Sequence, residues 1–91
     1  MIDGYTNIEN TIFHDNRLTW KAKGLYCQLC SLPESWDFNL KGLQTLSSGG
    51  RKNLLSAVKE LKQYGYLDII PVRKKDGRIS YKYIIKNNIP P

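Results

Sequence analysis

The sequence predicts an α+β domain: three helices followed by an antiparallel β-hairpin. Residues Asn39 to Tyr64, NLKGLQTLSSGGRKNLLSAVKELKQY, hold two helical apolar patterns parted by Ser47-Ser48-Gly49-Gly50. After Gly65 the apolar period drops from 3.6 to about 2. Asp76-Gly77 then sits between two runs rich in β-branched and aromatic residues, the strongest short hairpin signal.

Residues 1–18 read as an irregular arm, with a turn at Asp15-Asn16 and scattered apolar positions at Ile8, Ile12 and Phe13. Such an arm is expected to cap the core or to meet a second subunit. Thr19 is a good N-cap for a helix from Trp20 to about Leu32, stopped by Pro33. Leu18, Ala22, Leu25, Tyr26, Leu29 and Leu32 share one face of it. Gly24 inside this helix costs ~1 kcal/mol against Ala, which is tolerated where another backbone comes close. Ser35 to Phe38 alternates like a brief strand, and Trp20 and Trp36 are large core candidates.

Asn39 caps a second helix carrying Leu40, Gly42, Leu43, Gln44 and Leu46. The third runs from about Arg51 to Tyr64, with Gly65 in the left-handed C′ position. At 100° per residue, Leu54, Leu55, Ala57, Val58, Leu61 and Tyr64 fall on its core side. Lys52, Asn53, Ser56, Lys59, Glu60 and Gln63 fall outward. Tyr66 to Lys74 and Ile79 to Lys86 are the two strands. A two-residue loop places Val72 opposite Tyr81 and Ile70 opposite Tyr83. Pro71 has no donor, so its nitrogen should face away from its partner. Asn87 to Pro91 looks like a tail or the start of a linker. The expected organisation is therefore an arm at 1–18, one domain at 19–86 and a tail at 87–91.

A chain of 91 residues suits one domain. Its charge of +6 is unevenly spread: residues 41–91 hold eleven cations against three acids, whereas residues 1–40 are net −2. The asymmetry suggests a side that faces a polyanion. No apolar run approaches the ~20 residues of a membrane helix, and the N-terminus is unlike a signal peptide, so a cytoplasmic protein without a membrane partner is expected. Cys27 and Cys30 form a lone CxxC. Zinc needs four ligands and only His14 could add to them, and a redox pair belongs at a helix start rather than mid-helix. Both read as reduced, partly buried small hydrophobes. One His, and no phosphate-binding loop of the right spacing, point away from an enzyme and from any cofactor or small-molecule substrate.

Helix, short strand, helix, turn, helix and hairpin is the order of a winged helix-turn-helix. The stretch from Leu18 to Lys86 resembles the helix-turn-helix domain of phage and plasmid replication proteins, the replisome organisers and the N-terminal domain of DnaD-type primosomal proteins. The resemblance rests on Lys21-Ala22-Lys23-Gly24, Leu32-Pro33, Trp36-Asp37-Phe38, Gly49 to Asn53 and Leu61 to Leu67. It implies DNA binding, in replication initiation or transcription regulation, and often self-association as a homodimer through the N-terminal arm and the hairpin.

Double-stranded DNA binding is accordingly the expected function. In the third helix, Asn53 and Ser56 are candidates for base edges, and Lys52 for guanine or a phosphate. Ser47, Ser48 and Arg51 at the turn suit backbone phosphates, and Lys59 a flanking one. Arg73, Lys74, Lys75 and Arg78 form a cationic wing tip, with Lys41 a weaker phosphate candidate. The alternative is a winged-helix interaction module, a dimerisation or scaffold domain without direct DNA binding. Its surface would be Ile12, Phe13, Ile70, Val72 and Tyr83.

Overall fold

The computed structural model describes residues 4–32 and 39–86. In order it forms a 3-10 turn (Asn10–His14), α1 (Trp20–Cys30), α2 (Leu40–Gln44), α3 (Arg51–Gln63), β1 (Leu67–Arg73) and β2 (Ile79–Ile85). Among the described residues these are three α-helices and one two-stranded antiparallel sheet, an α+β arrangement consistent with a small winged-helix-like fold. The expected strand at Ser35 to Phe38, the core place of Trp36, the stop at Pro33 and the tail at 87–91 lie outside the described residues.

The helices begin and end where local chemistry dictates. Thr19 Oγ1 accepts from Ala22 N at 3.4 Å, and Asn39 Oδ1 accepts from Gly42 N at 3.1 Å. Each satisfies one of the donors a first turn leaves open. At the end of α3, Gly65 takes φ +83°. Tyr66 N then donates to Leu61 O at 2.8 Å and Gly65 N to Lys62 O at 3.3 Å. This is a Schellman motif, and Leu61 and Tyr66, its hydrophobic pair, are both buried. The second helix is shorter than the pattern suggests: it stops at Gln44, and Leu46 lies exposed beyond it.

The core joins α1 to α3 through Ala22, Tyr26, Leu29, Ala57, Val58 and Leu61, and adds Leu18, Leu43, Tyr66 and Leu67. Ile12 of the arm is buried among them, so the arm caps the core. Trp20 does not join it. It is 89% exposed, because it lies about half a turn round α1 from the stripe of Ala22, Tyr26 and Leu29. Gly24 meets no atom within 4 Å of where a Cβ would stand, so no neighbouring backbone requires it. Gly24→Ala is expected to stabilise the fold by about 1 kcal/mol, read as a higher urea midpoint at unchanged slope.

Among the described residues one carboxylate is fully buried, that of Asp15. Asp15 Oδ1 accepts from Arg17 N at 3.0 Å and Arg17 Nε at 2.8 Å; Oδ2 accepts from Arg17 Nη2 at 2.6 Å and from the Tyr66 hydroxyl at 2.8 Å. The Arg17 bonds hold the Asp15 carboxyl well below the usual range, against the opposing pull of burial. The Arg17 guanidinium lies 4.6 Å from the centre of the Tyr64 ring. Tyr64 and Tyr66 flank Gly65, so this cluster ties the arm to the junction of α3 and β1.

The hairpin register is Leu67↔Ile85, Ile69↔Tyr83, Pro71↔Tyr81, Val72↔Ser80 and Arg73↔Ile79. It departs by one residue from the expected pairing of Val72 with Tyr81 and Ile70 with Tyr83. The cause is the turn: Gly77 N donates to Lys74 O at 3.0 Å and Lys74 N to Arg78 O at 2.8 Å. The loop is thus three residues long, Lys75 to Gly77, with Gly77 at φ +87° after a turn. Lys74–Arg78 at one end and Lys86 N to Tyr66 O at the other make even-numbered β1 residues the bonded ones. Pro71 falls between them with its nitrogen turned away from β2, as a residue without a donor requires.

Candidate nucleic-acid interface

The site is built on α3. Of its residues, Arg51, Lys52, Asn53, Leu55, Lys59, Lys62 and Gln63 are exposed, Leu54, Ser56 and Glu60 are half-buried, and the rest face the core. Two residues depart from the expected faces. Leu55, expected inward, is exposed, because Ala57 and Leu61 set the core direction and Leu55 lies well round the helix from both. Glu60, expected outward, turns to α1: its Oε1 accepts from Thr19 N and its Oε2 from Thr19 Oγ1, both at 2.8 Å.

That pair of bonds has two effects. Thr19 already caps Ala22 but has no acid three residues on to answer it; Glu60 supplies the missing half of a capping box from another helix. Glu60 is also the only acid on α3. With both its oxygens engaged at the start of α1, the outer face keeps Arg51, Lys52, Lys59 and Lys62, none of which makes an ion pair among the described residues. Glu60→Ala is expected to cost about 1–2 kcal/mol, seen in thermal melts, by removing two charge-assisted bonds from one helix start.

The turn before α3 leaves Ser47, Ser48, Gly49 and Gly50 exposed. Ser47 Oγ accepts from Gly49 N at 3.1 Å, which holds the turn and leaves the hydroxyl proton to donate elsewhere. Gly50 is the N-cap and offers no side-chain acceptor, so the first N–H groups of α3 suit an anion. Asn53 stands on the flank toward α2 and borders an apolar groove of about 410 Å³ between α1, α2 and α3, lined by Gly24, Leu25, Leu43, Leu46 and Leu54. Lys52 and Lys59 lie on the side of α3 away from Ala57, Val58 and Leu61. Lys41 is exposed on α2.

The hairpin gathers the remaining cations. Leu67, Ile69, Tyr83 and Ile85 pack against the core, and Tyr83 donates to Leu29 O at 3.3 Å. Residues 73–79 run beyond the core and are all exposed. Arg73, Lys74, Lys75 and Arg78 thus come together at one tip. Asp76 organises that tip: its Oδ1 accepts from Arg78 N at 3.0 Å and its Oδ2 pairs with Arg78 Nε at 3.2 Å. Arg78 is therefore partly neutralised, whereas Arg73 and Lys75 make no ion pair among the described residues. Asp68 pairs with Lys86 at 2.6 Å at the base.

Sequence reasoning missed Lys62, Leu55 and the cap formed by Glu60. Lys62 is one helical step on from Lys59 and follows from the 100° period. Cys27 and Cys30 are free and half-buried in α1, and burial pushes both thiols up. Among the described residues no three of His, Cys, Asp and Glu cluster in a way that could hold a metal, and no helix is long and apolar enough to cross a membrane. Comparison with protein-family models, with curated proteins and with solved structures finds no match to this chain.

Proposed function

We propose that this chain binds double-stranded DNA as a winged helix-turn-helix, with α3 in the major groove and the hairpin tip against the sugar–phosphate backbone. The observation that carries the reading is the outer face of α3. It presents Arg51, Lys52, Lys59 and Lys62 while its single acid is held at the start of α1. Asn53 and Ser56 reach base edges, and Lys52 takes a guanine or a phosphate. Ser47, Ser48 and Arg51 hold the backbone at the turn, Lys59 a flanking phosphate, and Lys41 makes a weaker phosphate contact. Arg73, Lys74, Lys75 and Arg78 form the wing contact. The setting is phage or plasmid replication initiation, or transcription regulation, in the cytoplasm.

A second reading is supported by exposed apolar side chains on the hairpin, Ile70, Ile79, Tyr81 and Ile84, and by Phe13 of the arm. In it the chain is a dimerisation module. Ile12 takes no part, being buried in the core, and the Tyr83 hydroxyl is bonded to α1. Fluorescence anisotropy with a labelled duplex at two salt concentrations, beside light scattering without DNA, separates the readings. Tight binding that weakens steeply with salt supports the first. Self-association with no duplex binding at low salt supports the second and ends the first.

A further inference from the structure

Leu55 is the one apolar side chain that α3 leaves exposed, at 43%. A lone surface leucine is ordinary on most proteins. The position of this one is not. It lies three residues after Lys52 and four before Lys59, so the two lysines are its neighbours along the same side of the helix. With Val58, Lys59, Lys62 and Gln63 it lines an open groove along α3. It also falls in the N-terminal half of the helix, the half that reaches base edges when a recognition helix lies in the major groove.

We infer that Leu55 reads the 5-methyl group of a thymine. This deepens the DNA-binding reading and rests on it. The major-groove edges of the base pairs present donors and acceptors, with one apolar feature, the methyl of thymine. A leucine carried into that groove between lysines that hold phosphates would otherwise sit against polar edges and lose water without return. Against a thymine methyl, both apolar surfaces leave water together. Lys52 and Lys59 fix the register, and Leu55 selects a T·A pair at one position. Asn53 and Ser56, on the other flank of α3, read their own positions independently.

The test needs first a change in the DNA alone. In a duplex recovered by selection from a random-sequence pool, each thymine in turn is replaced by deoxyuridine, which removes only the methyl. Salt-dependent binding of the unsubstituted duplex is measured before any replacement. One position is expected to weaken wild-type binding about fourfold, the worth of one buried methyl. The same replacement should leave Leu55→Ala unchanged, while other positions behave alike in both proteins. Methyl-insensitivity at every thymine, or equal sensitivity in Leu55→Ala, overturns the inference and leaves DNA binding standing. Absence of salt-dependent binding to the unsubstituted duplex overturns DNA binding, and the inference with it.

Discussion

Replacing Asp15 by Asn is expected to lower the melting temperature by about 10–15 °C, from a loss of roughly 2–3 kcal/mol in a domain of this size. The carboxylate accepts three bonds from Arg17 and one from Tyr66 while fully buried. An amide of the same shape keeps one acceptor oxygen and turns an NH₂ toward the remaining donors, so the charge and at least one bond of the set are lost. Tyr66→Phe removes a single bond and should cost less, about 1 kcal/mol. The pH dependence follows from the same bonds. The folded carboxyl sits far below its unfolded value near 3.8, so its stabilisation is complete above that value. As pH falls below about 4 the unfolded chain takes up a proton that the folded one refuses, and stability drops toward the folded pKa. Thermal melts from pH 6 down to pH 2.5 should show this decline in the wild type. A smaller decline in Asp15→Asn is expected, and equal declines in both would discard the assignment.

Changing Arg73, Lys74, Lys75 and Arg78 together to Ala is expected to weaken duplex binding on the order of a hundredfold near 0.1 M salt. The loss should be alike for all sequences, and the slope of log affinity against log salt should fall by about three to four. Arg78 contributes least to that slope, because Asp76 already answers its charge. The single changes Arg73→Ala and Lys75→Ala should each lower the slope by about one, and Arg78→Ala by less. Anisotropy titrations at several salt concentrations measure all of these. The tip is exposed and outside the core, so melting temperatures should hardly move. An unchanged slope in the fourfold variant would remove the hairpin from the proposed contact.

What could be read from the sequence was local. Thr19, Asn39 and Gly65 act on backbone groups a few residues away, and their roles were visible from residue type and spacing alone. The hairpin was visible for the same reason, but its register was not. Asp-Gly serves both two- and three-residue loops, and the choice between them shifts every cross-strand pair by one. Asp15 looked like an ordinary turn residue because its partner Tyr66 is 51 residues distant. Glu60 looked like part of a solvated face because Thr19 is 41 residues distant. Trp20 and Leu55 are different. Their helical angles place both away from the core stripe, and a hydrophobic side chain does not by itself turn a position inward.

The grip of Asp15 and Arg17 on the two tyrosines beside Gly65 bears on more than melting temperature. Gly65 is the joint between α3 and the hairpin, and its left-handed φ sets the bend there. The arm's anchors sit on either side of it and brace the joint from outside. Two elements that must meet one ligand at once bind more tightly when their mutual angle is preset, because less freedom is lost on contact. Under the proposed function, the first seventeen residues, which hold only one cation, would thereby serve binding by fixing the angle between α3 and the hairpin rather than by touching the duplex.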